Sequence, residues 1–112
     1  MPELPEVEVL RCYLQPLLNG KTICDLHLLK PRVVRPESSK KLIATINGCR
    51  VSGIERRGKF LCVNLAKTRS QKTFPLVIHL GMTGRLFIEP DTAKLPIHTA
   101  AVFRLDDELL VF

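Results

Sequence analysis

The stretch CRVSGIERRGKFLCVNLA (residues 49–66) decides the fold, because it holds two short strand-like runs on either side of Gly58. Both runs are short and rich in apolar residues, which favours strands over helices. Similar runs follow toward the C-terminus, separated by turn signals such as TRSQKT and GMTG: FPLVIHL, GRLFIE, TAAVFRL and ELLVF. Several short strands in succession predict antiparallel pairing, in a β-sandwich or a flattened barrel.

An N-terminal helix is predicted ahead of these strands, because apolar residues recur there at helical spacing. They are Leu4, Val7, Leu10, Leu14, Leu17 and Leu18. Pro16 is a candidate position for a kink in this helix, and Asn19-Gly20 is expected to end the helix. TICDLHLL is predicted as a strand, and PESSKKLIAT as a short helix capped by Ser38 or Ser39. We therefore expect residues 1–112 to form one α+β domain, mainly β with flanking helices, with the first helix packed on the sheets.

Size and composition agree with a single domain, since the chain has 112 residues of which 46% are hydrophobic. No window approaches the ~18 apolar residues of a membrane span, and the first twenty residues include charged ones where a signal peptide needs an uninterrupted apolar block. We expect a cytoplasmic protein without a membrane partner. The four cysteines contain no Cys-x-x-Cys pair, which argues against a zinc site within this chain: Cys12, Cys24, Cys49 and Cys62. Each is expected to be reduced and mostly buried.

The formal net charge of +6 is concentrated in one segment, because residues 50–72 contain seven basic residues and one acidic residue. A focused basic patch is what a polyanion binder requires. A solvated face with a lysine-rich loop would produce the same composition. Charge alone therefore does not decide between a nucleic-acid-binding surface and an ordinary solvated surface.

The first residues, MPELPEVEVL, combine a proline behind the initiator methionine with nearby carboxylates. If Met1 is removed, Pro2 presents an α-amino group that titrates near pH ~7.7–8.0, so a useful fraction is unprotonated at neutral pH. Such an amine attacks an electrophilic carbon to form an iminium, and Glu3 and Glu6 place carboxylates within reach as acid, base or orienting group. Proline and glutamates are also ordinary helix-start residues. The residue pattern by itself does not choose between a catalytic amine with its carboxylates and an ordinary helix start.

Three blocks carry a resemblance to one family. PELPEVE (residues 2–8) resembles the N-terminal signature of formamidopyrimidine-DNA glycosylases, of the Fpg/Nei family, and RRGKF (56–60) and HLGMTGRL (79–86) are similar to two further family blocks in the same order. The likeness covers the whole chain and favours the Fpg branch over the Nei branch.

This resemblance implies a role for each matching position. Pro2 would be the nucleophile that attacks C1′ of the damaged nucleotide, displaces the base and cleaves the strand by β,δ-elimination. Glu3 would protonate the opening sugar ring, and Glu6 would support the site. Lys59 would contact phosphate near the lesion.

Further residues would hold the DNA. His79 would contact phosphate, although a lone histidine at a strand end also occurs as a hydrogen-bonded rim residue. Met82 would occupy the space that the extruded base leaves, although a turn methionine also folds back onto a sheet. We take Arg56 and Arg57, which lie in the basic segment, as additional DNA contacts.

The resemblance also implies what this chain does not contain. Family members continue into a helix–two-turn–helix and usually a four-cysteine finger with one structural zinc, so no cofactor is expected in residues 1–112. We expect the chain to be a fragment, weak or inactive alone, because it lacks part of the DNA clamp.

By the same resemblance the partner is damaged double-stranded DNA carrying oxidised purines such as 8-oxoguanine and formamidopyrimidine. The protein is expected to be monomeric, bacterial and nucleoid-associated. Two alternatives stay open: a noncatalytic nucleic-acid-binding module that uses the basic segment of residues 50–72, and a purely structural fragment.

Overall fold

The computed structural model describes residues 4–30, 38–67, 72–79, 85–91, 94–96 and 99–112. Their helices and strands follow the predicted runs closely. In chain order they are α1 (Leu4–Leu18), β1 (Asp25–Leu28), α2 (Ser39–Ile46), β2 (Arg50–Arg57), β3 (Phe60–Ala66), β4 (Thr73–His79), β5 (Phe87–Pro90), β6 (Ala101–Arg104) and β7 (Glu108–Val111).

The strands form two antiparallel sheets, which confirms the predicted mainly-β α+β fold. The four-stranded sheet has the order β1-β6-β7-β5, and the three-stranded sheet has the order β2-β3-β4. Within the three-stranded sheet the register pairs Phe60 with His79 at one end and Ala66 with Thr73 at the other.

The segment between α1 and β1 joins the two sheets. Near its start, the Gly20 amide donates to the Val51 carbonyl at 2.8 Å, so the chain runs beside β2. A few residues later the Cys24 amide donates to the Arg104 carbonyl at 2.7 Å, so the chain has moved beside β6. A strand that changes sheets in this way closes one side of the sandwich, as in a flattened barrel.

Helix α1 packs its apolar stripe into the core between the sheets. Val7, Leu14 and Leu18 are fully buried, and Leu10 packs against the same core while half-buried. Leu17, which shares the helical spacing, lies toward the solvent side of this stripe and is 37% exposed. Leu18, the next residue, lies about 100° further round the helix and is fully buried.

The second helix has the predicted start. The Ser38 hydroxyl accepts from the Lys41 amide at 3.2 Å, so Ser38 is the N-cap. This bond satisfies one of the amides that a helix start leaves unpaired. Neither helix in the described part of the chain has the length and apolar content that crossing a lipid bilayer requires.

Two of the four cysteines correct the expectation of burial. Cys49 and Cys62 are buried in the sandwich, but Cys12 and Cys24 are exposed, and all four are free thiols. Cys12 lies on the solvent side of α1, where its sulfur is 3.7 Å from Glu8 Oε2. Apolar character alone did not reveal which cysteines fall on the solvent face of their element.

Candidate DNA-processing site

The candidate site lies at one end of the three-stranded sheet. There β2 ends at Arg57, β3 begins at Phe60, and β4 ends at His79, which is the register partner of Phe60. The Gly58–Lys59 turn therefore lies at the same end as His79. The structure thus brings together two residues, Lys59 and His79, that are 20 positions apart in sequence.

The turn that carries Lys59 is a two-residue hairpin loop. Gly58 has a φ of +61°, and no non-glycine residue in the described ranges has a positive φ. A positive φ at the first central position alone is the pattern of a type II′ turn, which matches the twist of the flanking strands. Lys59 then takes the second position, where it is half-buried.

Arg57, Phe60 and His79 form a cross-strand row on the outer face of the sheet, because register partners point to the same side. The Phe60 and His79 ring centroids are 4.9 Å apart, with the rings tilted by 41°. Phe60 is 45% exposed, which is unusual for a large aromatic side chain. Phe60 was not predicted as a site residue. Its place directly after the turn signal at Gly58 would have put it at the end of a strand, next to Lys59.

Arg56 lies on the opposite face of the same strand. Its register partner is Leu61, which is buried and in turn pairs with Ile78. The Arg56 Nε atom donates to Glu8 Oε1 of α1 at 3.0 Å, and Nη1 donates to the Gly58 carbonyl at 3.0 Å. The guanidinium of Arg56 thus connects the helix to the turn.

Glu8 accepts from a second arginine as well. Arg11, three residues further along α1, donates from Nε to Oε1 at 2.9 Å and from Nη2 to Oε2 at 2.7 Å. Hydrogen bonds from Arg11 and Arg56 lower the pKa of the Glu8 carboxyl from 4.5 to about 2. The carboxylate is therefore ionised at any ordinary pH, which suits it to accept hydrogen bonds from both arginines.

Helix α1 is also fixed to the free edge of β2. Gln15 Oε1 accepts the Ile54 amide hydrogen at 2.9 Å, which occupies a donor that an edge strand would otherwise present to solvent. Together with the Glu8–Arg56 bond, this contact sets how the helix lies along the strand.

Of the remaining predicted site residues, one lies within the described residues and three lie outside them. Glu6 is exposed on the first turn of α1, on the helix that carries Glu8. Pro2, Glu3 and Met82 lie outside the described residues. Pro2 and Glu3 immediately precede Leu4, where α1 begins, and Met82 follows His79 by three positions.

The basic residues that the structure describes within residues 50–72 do not form one patch. Arg56, Arg57 and Lys59 lie at the candidate-site end of the sheet. Arg50, Lys67 and Lys72 lie at the other end, next to the Ala66–Thr73 register pair. Seven residues of β3 separate the two ends by about 20 Å. Lys67 Nζ donates to the Thr45 carbonyl at 2.7 Å, near the end of α2.

Within the described ranges no group of three or more histidine, cysteine, aspartate or glutamate side chains is arranged to hold a metal ion. The site there consists of a carboxylate, arginines, a lysine, an aromatic ring and an imidazole. Such groups suit phosphate binding and proton transfer.

A family model described as "Formamidopyrimidine-DNA glycosylase N-terminal domain" matches residues 1–112. Formamidopyrimidine-DNA glycosylase of Corynebacterium glutamicum (strain R) is 41% identical over 112 residues, covering 96% of this chain and 39% of that protein. The protein of the same name from Carboxydothermus hydrogenoformans is 35% identical over 112 residues, covering 100% of this chain and 41% of that protein. The chain spans about two fifths of the length of these curated relatives.

Solved structures give the same result for the fold. A complex of wild-type Lactococcus lactis Fpg (MutM) with DNA containing an oxidized pyrimidine matches with a TM-score of 0.90 and 30% identity. A complex of the same protein with DNA containing N7-benzyl-Fapy-dG matches with a TM-score of 0.90 and 30% identity. Each match covers 98% of this chain and 39% of that chain.

Proposed function

Because the chain belongs to the formamidopyrimidine-DNA glycosylase family, whose N-terminal domain it matches over residues 1–112, we propose that it carries the catalytic residues of a bifunctional DNA glycosylase and AP lyase. The observation that carries this proposal is the meeting of the Lys59 turn, the His79 strand end and the helix that follows Pro2 and Glu3. Residues 1–112 act in it as one catalytic domain.

In the proposed reaction, the Pro2 nitrogen attacks C1′ of the damaged nucleotide after removal of Met1. The new C–N bond forms as the glycosidic bond breaks, and the base leaves with the bonding electrons and takes up a proton. Glu3 donates a proton to the ring oxygen of the sugar, which opens to an iminium. Loss of a C2′ proton from the iminium expels the 3′-phosphate by β-elimination, and loss of the C4′ proton from the resulting conjugated iminium expels the 5′-phosphate by δ-elimination. Water takes up these protons and then hydrolyses the iminium, which frees Pro2. Glu6 supports these proton transfers from the first turn of α1.

Lys59 and His79 are proposed to hold phosphates that flank the lesion, because a lysine and an imidazole lie at the same end of the sheet. Arg57 adds charge to the outer row beside them. Met82 is proposed to fill the gap that base extrusion leaves, which offsets part of the unstacking cost of a few kcal/mol.

The proposed substrate is an oxidised purine, 8-oxoguanine or formamidopyrimidine, in duplex DNA. The likeness to Lactococcus lactis Fpg, solved with DNA that contains N7-benzyl-Fapy-dG, supports a formamidopyrimidine, and the same protein has also been solved with DNA that contains an oxidized pyrimidine. We propose that the protein is a monomer that acts at the bacterial nucleoid. The 112 residues alone are expected to bind DNA weakly, since affinity and its salt dependence both fall with the number of phosphate contacts.

Borohydride trapping on a duplex with an abasic site tests the proposal. The chain processed to begin at Pro2, at low ionic strength and at a protein concentration that offsets its weak DNA binding, should form a covalent adduct that peptide mass spectrometry assigns to Pro2. A matched control with a Gly-Ser extension before Pro2 should form none there, because Pro2 is then an amide without a nucleophilic lone pair. An adduct confined to lysines, or none at any protein concentration, would contradict the lyase assignment. DNA binding without an adduct would favour the noncatalytic module.

A further inference from the structure

We propose that Arg56 is a positioning residue, which fastens the Lys59 turn to helix α1 through Glu8 and does not itself bind phosphate. This inference rests on the proposed function, since it says how two halves of that site are held together. It replaces the sequence-based interpretation of Arg56 as a DNA contact.

The geometry of one guanidinium carries the proposal. Arg56 uses Nε for Glu8 on the helix and Nη1 for the Gly58 carbonyl in the turn, each at 3.0 Å. These nitrogens belong to one rigid, planar group, so the two bonds fix the helix and the turn relative to each other. A lysine ammonium at the end of a flexible stem does not fix two partners in this way.

The Glu8 carboxylate, on the helix side of this connection, is itself held in a fixed orientation. Arg11 bonds both oxygens of the Glu8 carboxylate, at 2.9 and 2.7 Å, from one turn further along the helix. The carboxylate is therefore already held in place when Arg56 meets it, and less side-chain entropy is lost than in a single exposed ion pair.

The connection lies between the two groups that the reaction must keep aligned. Lys59 follows Gly58 directly, and Glu8 lies two residues after Glu6 on the helix that Pro2 and Glu3 precede. Displacement of reacting groups by about 1 Å is enough to slow a reaction by about a hundredfold. A fixed distance between turn and helix is thus a requirement of the chemistry proposed above.

Arg57 provides the matched comparison, because it is the adjacent arginine on the opposite face of β2. Its side chain is 77% exposed, and its Nη2 atom is 3.9 Å from Glu55 Oε2, too far for a hydrogen bond. Arg57 therefore has the exposure of a phosphate contact, whereas the guanidinium of Arg56 is already bonded on two sides.

The first test uses the free chain and needs no DNA. Backbone ¹⁵N relaxation in Arg56→Gln should show the order parameters of the Gly58 and Lys59 amides falling from about 0.85 to below about 0.6. Arg56→Lys should give the same loss although it keeps the charge, and Arg57→Gln should give none. Unchanged order at Lys59 in both Arg56 variants would overturn the proposal.

The second test separates positioning from phosphate binding. NMR titration with an abasic-site duplex at several salt concentrations should give the same slope of log K against log [salt] for Arg56→Lys, Arg56→Gln and the unaltered chain. Arg57→Gln and Lys59→Ala should each reduce that slope by about 0.9. A reduction of this size in Arg56→Gln would identify Arg56 as a phosphate contact and overturn the proposal.

If the unaltered chain binds no DNA, the proposed function fails, while the relaxation measurement still decides the role of Arg56.

Discussion

At the scale of single residues, the most informative side chain is Glu8. In the sequence it belongs to an acidic cluster at a helix start, where a favourable dipole interaction suffices to explain it. In the structure it is bonded to Arg11 on its own helix and to Arg56 across the sheet. The contact with Arg56 spans 48 positions of sequence, so no local pattern predicts it.

The titration of Glu8 gives a direct test of this network. Because the arginines lower the pKa of Glu8 from 4.5 to about 2, its ¹³Cδ chemical shift should titrate near pH 2. In Arg56→Gln the pKa should rise but stay below 4.5, since Arg11 is still bonded. A midpoint near pH 4.5 in the unaltered chain would show that the bonds are not formed in solution.

The same shift has a consequence for stability, with a definite sign. A carboxyl whose pKa is lower in the folded than in the unfolded state stabilises the fold fully above about pH 4.5, and this contribution is lost as pH falls toward 2. The free energy of unfolding of Glu8→Gln should therefore vary less with pH across this window than that of the unaltered chain. Equal pH dependence in urea titrations of both proteins would contradict this.

The glycine of the Lys59 turn provides a second residue-scale prediction. Gly58 has a φ of +61°, where a side chain is strained, although nothing lies within 4 Å of the place its Cβ would take. Gly58→Ala should lower the free energy of unfolding by about 1–2 kcal/mol through the backbone alone. Gly53→Ala is the control, expected to change it by no more than about 0.5 kcal/mol, because its Cβ would meet only Gln15 Nε2 at 4.0 Å. Urea unfolding of both variants decides the matter, and equal effects would argue against the positive φ at Gly58.

At the scale of elements, the sequence predicted where each helix and strand lies but not every face it presents. The six later strands and the Ser38 cap were predictable because turn residues and apolar runs are local signals. The two exposed cysteines were assigned to the interior on residue type, yet burial depends on the angle at which an element meets the sheets. The cross-strand row of Arg57, Phe60 and His79 likewise required the register, which pairs residues distant in sequence.

Helix α1 allows a test of that burial pattern. Leu14 is 0% exposed and Leu17 is 37% exposed on the same helix. Leu14→Ala should lower the free energy of unfolding by about 2–5 kcal/mol, because it leaves a cavity between helix and sheets. Leu17→Ala should lower it by about 0.5 kcal/mol or less, since its side chain keeps much of its contact with water. Similar losses in urea unfolding would mean that the helix is rotated relative to the structure described here.

At the scale of the whole molecule, the decisive fact is how the sheets distribute charge. The basic segment is continuous in sequence, and composition alone suggested one patch. The strands carry those of its members that the structure describes to opposite ends of the three-stranded sheet, about 20 Å apart. This separation leaves the end with Lys59 as the candidate site, and it follows from the register of β2, β3 and β4, which places Arg57 and His79 at one end of the sheet and Arg50 and Thr73 at the other.

The most direct test of the account is where damaged DNA contacts the chain. In a ¹⁵N-labelled sample titrated at low ionic strength with a duplex that contains a stable abasic-site analogue, we expect the largest amide shifts at Gly58, Lys59, Phe60 and His79. Ala66, Lys67 and Thr73, at the other end of the same strands, should shift little. Larger shifts at Lys67 and Thr73 than at Lys59 and His79, or no shifts at all, would contradict a DNA-processing site at the end of the sheet where helix α1 meets the Lys59 turn.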